Sequence, residues 1–291
     1  MTEPSLPPPL TDTSGDGLRR AIEADQVASR LYNSDLPVEA HDEPDASWAI
    51  APFGDVMRSV VVRAAFDDVS ADRRMDDIVA SYDAVGNPIL WWLNPSDTPP
   101  DLPQRLARRG FEYVAESPGM ALDLAALNSI ESPVDGLSIE PVRDEVGARE
   151  FVGVVNEDRP EGVPPSSAES AQSSVRLIAQ RVTTRKIPTY FLGRLDGRAV
   201  ATSKLSLVGG TAGIYSVVTL AEARGGGIGT SMTLAAMNAG REAGYRIATL
   251  QSSDMGYRLY ERLGFRDVFR YRIHVRQRPS AEKAVASDGE P

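Results

Sequence analysis

The sequence predicts a mixed α/β (α+β) fold in two tandem domains, each built on a central sheet flanked by helices. Three observations predict it. The chain has 291 residues, about twice the common domain length of roughly 100–150. In its second half, short β-branched runs alternate with segments of helical period. The string LARRGFEY, beginning at Leu106, is echoed by YERLGFRD, beginning at Tyr260, as a repeated unit would be.

In order along the chain, Gly17 to Asn33 reads as a helix, with Leu18, Ala21, Ile22 and Ala28 on one face. Arg58 to Phe66 is rich in β-branched residues and predicts a strand. Asp72 to Tyr82 has a helical apolar side of Met75, Ile78, Val79 and Tyr82. Gly86-Asn87-Pro88 is a turn before the short buried strand ILWWL, in which Trp91 and Trp92 alternate faces. Leu102 to Arg109 is a helix stopped by Gly110, and residues 119–124 form a strand.

The stretch 127–136 reads as a linker. Beyond it, LSIEPV is a strand, and Asp144 caps a helix through about Val155. A polar loop leads to a helix over Ala168–Thr183. TYFLGRL and AVATSKLSLV are strands joined by the turn Asp196-Gly197, and Thr211 to Leu220 is a third strand. A glycine-rich loop enters a helix from Gly227 to Ala243, followed by a strand, Tyr245 to Gln251. Asp254 or Ser253 caps a helix ending at Leu263, Gly264 stops it, and Asp267 to Val275 is the last strand. The expected organisation is a disordered leader over 1–16, a first domain over 17–126, the linker 127–136, a second domain over 137–277 and a disordered tail over 278–291.

Composition narrows the function classes. There is no cysteine, and the histidines are His41 and His274, so thiolate nucleophiles and Cys/His metal sites are excluded and no metal is expected. No apolar run approaches the roughly 18 residues of a membrane span, and the first residues lack the pattern of a secretory signal. The expected compartment is the cytoplasm, with no membrane partner. Residues 1–128 hold 22 acids and 10 arginines, whereas 129–291 hold 19 acids and 21 basic residues, so the two parts carry −12 and +2 of a net −10. Such acidity argues against nucleic acid as a partner and leaves the second part able to take an anionic ligand. On the last strand Arg266, Arg270, Arg272 and Arg276, with Arg278 beyond, form either a solvated face or one that meets acidic groups of the first part.

The sharpest motif is SVVTLAEARGGGIGTSM, where a strand ends, the chain turns through three glycines and a helix begins. Amides at a helix start are unpaired and the helix dipole favours negative charge there, so the expected ligand is a diphosphate. A Walker loop would need Gly-Lys-Ser/Thr, which is absent. A dinucleotide fingerprint would need glycine where Met232 stands and an acid where the next strand has Thr249-Leu250-Gln251. The pattern present is Arg-x-x-Gly-x-Gly, as Arg224-Gly225-Gly226-Gly227-Ile228-Gly229.

That pattern resembles the coenzyme A loop of the GNAT superfamily of N-acetyltransferases. A second match, LQSSDMGYRLYERLGF, is similar to the family's β5–α4 segment with its Tyr-x-x-x-Gly-Phe ending, Tyr260 to Phe265. The resemblance covers about 137–276 and implies a tandem GNAT-like chain whose N-terminal domain is degenerate, because that domain has no such loop. It implies acetyl-CoA as cosubstrate. Arg224, Gly225, Gly226, Gly227, Ile228, Gly229 and Thr230 would form the pyrophosphate loop, binding through main-chain amides, with Arg224 either bracing the loop or reaching a phosphate. Val218 and Thr219 would pair with the pantetheine arm where Ser216–Leu220 splays from Ile247–Gln251. A neutral amine would attack the thioester, a backbone N–H near Val218 would meet the oxyanion, and Tyr260 would be the general acid toward the thiolate, helped by any lowering of its pKa at a helix start.

The base is open among Glu222, Asp254 and an ordered water, and Tyr190 and Tyr215 either line the acceptor mouth or pack the sheet. The expected partner is a small-molecule amine, and a homodimer stays open. A non-catalytic acyl-CoA sensor or scaffold and a protein N-terminal or lysine acetyltransferase are the competing readings.

Overall fold

The computed structural model describes residues 6–127, 134–159, 165–184 and 189–277. The expected linker, the polar loop after Asn156 and the tail, with Arg278, therefore fall wholly or partly outside the described residues. The chain divides into two compact units. The first comprises 1–37 with 117–270, and the second 38–116 with 271–291.

In the first unit the strand order is β5-β10-β9-β8-β7-β6. The members are β5 (Glu112–Asp123, from Ser117 on), β6 (Leu137–Pro141), β7 (Tyr190–Leu195), β8 (Arg198–Ser206), β9 (Ala212–Thr219) and β10 (Ile247–Gln251). β10 runs parallel to β9, while β6-β7, β7-β8, β8-β9 and β10-β5 are antiparallel. The helices are α1 (Gly15–Tyr32), α4 (Glu145–Glu157), α5 (Ala168–Thr184), α6 (Ile228–Glu242) and α7 (Asp254–Arg262). The order from β6 onward is the β-α-α-β-β-β-α-β-α-β expected from the sequence. Local chemistry sets its ends. Asp144 accepts from Gly147 N–H at 2.9 Å as the cap of α4. Asp196 and Gly197, with φ of 51° and 85°, make the left-handed two-residue hairpin turn.

α1 was not expected in this unit. A sequence boundary near 126 separates it from the second domain, yet it clusters with residues 117–270. The cause is a set of polar side chains no local pattern could assign to a partner. Lys204 of β8 is buried and donates to Asp35 at 2.6 Å, and Tyr190 donates to the same carboxylate at 2.8 Å. Arg181 of α5 reaches the carbonyl of Ser34 at 2.6 Å. The expected disordered leader is also partly placed, since Leu10 N–H donates to the Gly210 carbonyl at 2.8 Å and Ser14 caps α1.

The second unit orders β1-β2-β3-β4 and the end of β11 (Arg266–Arg276). Its strands are β1 (Glu39–Glu43), β2 (Ala46–Ile50), β3 (Val60–Ala64) and β4 (Ile89–Leu93), with helices α2 (Ala71–Val85) and α3 (Leu102–Arg108). Both Trp91 and Trp92 are buried. The hairpin β1-β2 has no periodicity that the sequence could show, because β1 is an acidic, largely exposed strand. Its acids are held instead by arginines, with Arg74 pairing Asp45 at 2.7 Å and Glu43 at 2.5 Å. Arg276 pairs with Asp83 at 2.6 Å, so part of the arginine row meets an acid of the first part of the chain.

The repeated strings fold alike. Gly110 and Gly264 take left-handed φ of 77° and 95° after their helices. Phe111 N–H bonds back to Leu106 O at 3.1 Å, as Phe265 N–H does to Tyr260 O at 3.0 Å. In this repeat Leu106 stands where the other copy has Tyr260, so the second unit has no hydroxyl at that position.

Candidate functional site

The candidate site lies in the first unit, where β9 and β10 stop pairing. Their parallel ladder consists of Ala212 with Ala248 and Gly213 with Thr249, and no ladder pair joins them beyond those residues. On its other side β9 stays bonded to β8 and slips register there: Thr202 pairs with Val218, but Lys204 pairs with Tyr215. The extra residue on β9 is a bulge. Ser216 sits in it at φ 48°, and Thr202 Oγ1 donates to the Ser216 carbonyl at 2.8 Å. The β10-facing edge of Ser216–Thr219 is thereby left without a strand partner, as expected for a segment offered to an extended ligand.

The same strand end feeds the glycine loop. Arg224 Nε donates to the Thr219 carbonyl at 3.0 Å and its guanidinium pairs with Asp158, so Arg224 braces the loop back onto β9. Gly225 and Gly227 have φ of 87° and 88°, which L side chains adopt with strain, and no neighbour lies near a Cβ built on Gly225 or Gly226. Gly227 is the N-cap of α6, offers no capping side chain, and is followed by no acid in the first turn. The opening amides of α6, from Ile228 through Thr230, thus keep their positive field for an outside anion. Buried Ile228 anchors the turn. Gly229 has a different reason to be small: a Cβ there would lie 3.1 Å from Leu259 Cδ1 of α7. Gly227→Val is expected to weaken binding of a diphosphate ligand at this turn about tenfold or more, because a β-branched residue at this φ costs about 1–2 kcal/mol and turns the amides away. Calorimetry with acetyl-CoA checks this, and an unchanged Kd would show that the turn does not hold the ligand.

α7 supplies Tyr260. Ser253, not Asp254, caps this helix, accepting from Gly256 N–H at 3.3 Å. Tyr260 is 9% exposed, meets Phe265 edge-on at 5.9 Å, and shares a core with Ile228, Met232 and Leu250. Its hydroxyl has no hydrogen-bond partner among the described residues. Burial pushes its pKa up to about 12. A helix start does not lower it, because Tyr260 lies in the last turns of α7. A phenol held this way stays protonated at working pH and is a donor, never a base.

The remaining candidates are separated by their surroundings. Glu222 is exposed and pairs with Arg198 at 2.7 Å; its own backbone N–H, then Arg198, hold its carboxyl below the usual range, which makes it a weak base. Tyr190 is fully buried and bonded to Asp35, so it packs the sheet. Tyr215 directs its hydroxyl to Asp25 of α1 at 2.6 Å. Asp25 is wholly buried and also accepts from Thr249 at 3.0 Å. Sequence reading missed it, although an acid among Ala21, Ile22 and Ala28 on the apolar face of α1 was a visible signal. Among the described residues no group of His, Asp or Glu could hold a metal ion.

Comparison with known proteins agrees with this geometry. Residues 154–265 match the model of the acetyltransferase (GNAT) family. No curated protein sequence matches the chain. Among solved structures, a GCN5-related N-acetyltransferase from Kribbella flavida is similar with a TM-score of 0.64 at 19% identity, covering 92% of this chain and 97% of that one. A GCN5-related N-acetyltransferase from Sphaerobacter thermophilus gives 0.58 at 18%, covering 90% and 94%. A tandem GNAT protein from the clavulanic acid biosynthesis pathway gives 0.54 at 14%, covering 95% and 98%. At such identities the likeness is one of fold. Residues 154–265 are a GNAT-family acetyltransferase domain, carried by a chain with the fold of tandem GNAT proteins.

Proposed function

We propose that the chain is an acetyl-CoA-dependent N-acetyltransferase that acetylates a primary amine of a small-molecule acceptor by direct attack. The observation that carries this reading is the parting of β9 from β10 at the Ser216 bulge, directly before a helix start that has no cap of its own. The amides of Gly225 to Thr230 would hold the pyrophosphate, and the free edge at Val218 and Thr219 would hold the pantetheine arm. Acetyl-CoA supplies the activated acyl group when bound. The chain's residues would supply position and protons: a backbone N–H near Val218, just past the bulge, would meet the developing oxyanion, and Tyr260 would give its proton to the leaving sulfur. Only a neutral amine attacks, so the rate should rise with pH toward the acceptor's own pKa.

A free-thiol release assay with acetyl-CoA and a panel of small amines, run beside calorimetry, tests the proposal. Heat of binding together with amine-dependent thiol release is the expected result. Binding without release for any amine would identify a sensor or scaffold, release only with peptides would identify a protein acetyltransferase, and absence of binding would defeat the reading altogether.

A further inference from the structure

α1 brings Asp25 to the root of the parted strands. One carboxylate oxygen, Oδ2, accepts from Tyr215 of β9 at 2.6 Å and from Thr249 of β10 at 3.0 Å. Thr249 is the last position of β10 that pairs with β9, and Tyr215 immediately precedes the bulge residue Ser216. A single atom therefore ties both strands where they separate. Ser29, one turn along α1, approaches Oδ1 at 3.4 Å and contacts Ser206 of β8 at 2.6 Å, while Thr249 Oγ1 lies 3.1 Å from Thr211 Oγ1. The seat fits an aspartate closely. A Cβ on Gly213 would stand 2.5 Å from Oδ2, and one on Gly209 would overlap the Asp25 backbone.

We propose that Asp25 is a positioning residue for the acyl cleft: its ionised carboxylate clips Tyr215 of β9 to Thr249 of β10 and so fixes the bulge at Ser216. The proposal rests on the acyltransferase reading for its purpose, since the expected oxyanion donor, a backbone N–H near Val218, lies just beyond that bulge.

The clip depends on charge. A carboxylate only accepts, so hydroxyls from β9, β10 and α1 can all point at it; a neutral acid carries an O–H that needs an acceptor of its own. Among the described residues Asp25 forms no ion pair, so hydroxyls alone sustain its charge. The groups facing it are Tyr215, Thr249, Thr211 and Ser29, and Arg30 of α1 is the cation that acts on Tyr215. Burial, opposed by those hydrogen bonds, pushes the Asp25 pKa to about 6. The carboxyl is mostly ionised at neutral pH and becomes neutral in mild acid, where the clip should loosen with Asp25 still buried: its hydroxyl bonds hold the pKa down, so protonation disfavours those bonds even as it favours the buried fold.

Hydrogen exchange of the full-length, ligand-free protein between pH 5 and 8, corrected for the intrinsic rate, tests this. Amides of residues 216–219 and 250–251 should lose protection about tenfold below pH 6 in the wild type. Asp25→Asn should exchange fast at every pH. Tyr215→Phe removes one arm of the clip and keeps the ring; it should retain the pH step but move it upward, because the Tyr215 hydroxyl holds the carboxyl down. Should Asp25→Asn fail to fold, the wild-type step and its displacement in Tyr215→Phe decide the matter. A flat wild-type profile, or a step that Tyr215→Phe does not move, overturns the proposal. Calorimetry with acetyl-CoA on the same samples separates the two readings: a pH step without binding defeats acyl transfer and leaves the clip, whereas binding without a step defeats the clip.

Discussion

Tyr260→Phe is expected to lower kcat about 100-fold or more while leaving the Kd for acetyl-CoA unchanged, a loss of roughly 3 kcal/mol from the transition state alone. The split follows from where the hydroxyl sits. The ring is 9% exposed and packs on Phe265 within the core that includes Ile228 and Leu250, so phenylalanine keeps the packing. The hydroxyl has no protein partner among the described residues, so its removal strands no buried donor or acceptor and should not unfold α7. On the proposed mechanism, what is lost is the proton for the departing sulfur. With burial holding the tyrosine near 12, the activity of the wild type should not fall at alkaline pH from ionisation of this group below about that value. Steady-state kinetics with matched calorimetry checks both parts. Retained kcat in the variant would remove Tyr260 from the chemistry, and a raised Kd would assign it to binding instead.

Asp25 should make the protein less stable at pH 7 than at pH 5 relative to Asp25→Asn. Its folded-state pKa of about 6 lies above the ordinary 3.8, so the native state binds the proton more readily than the unfolded chain. Its contribution to stability is therefore fully present below 3.8 and is lost as pH rises through 6. The total loss for this wholly buried group is about 3 kcal/mol, and the share lost between pH 5 and pH 7 is about 1.4 kcal/mol. Urea unfolding of both proteins at the two pH values measures it: the wild type should gain about 1.4 kcal/mol on the variant as pH is lowered from 7 to 5. A difference that does not change with pH would show that Asp25 does not titrate in this range. A charge kept at a cost to folding, at the root of a cleft, is what a positioning role predicts.

Taken by itself, the sequence determined every element whose signal is local. The β-α-α-β-β-β-α-β-α-β order of the second half, the cap at Asp144, the left-handed stops at Gly110 and Gly264, and the glycine loop from Arg224 to Gly229 all follow from residue type and spacing within a turn or two, whereas the choice of Ser253 over Asp254 as the cap of α7 came from the structure. What it could not yield depends on partners far along the chain. The acidic strand β1 exists because Arg74, paired with Glu43, and β2 hold it, not because its own residues favour a strand. The bulge at Ser216 arises from the register of β9 against β8, which no single strand encodes. Only the tertiary structure assigned α1 to the first compact unit, through Asp35 with Lys204 and Asp25 with Tyr215 and Thr249. The physical reason is the same in each case: backbone propensity and capping act over a few residues, whereas a buried polar group needs a partner, and that partner can come from any part of the chain.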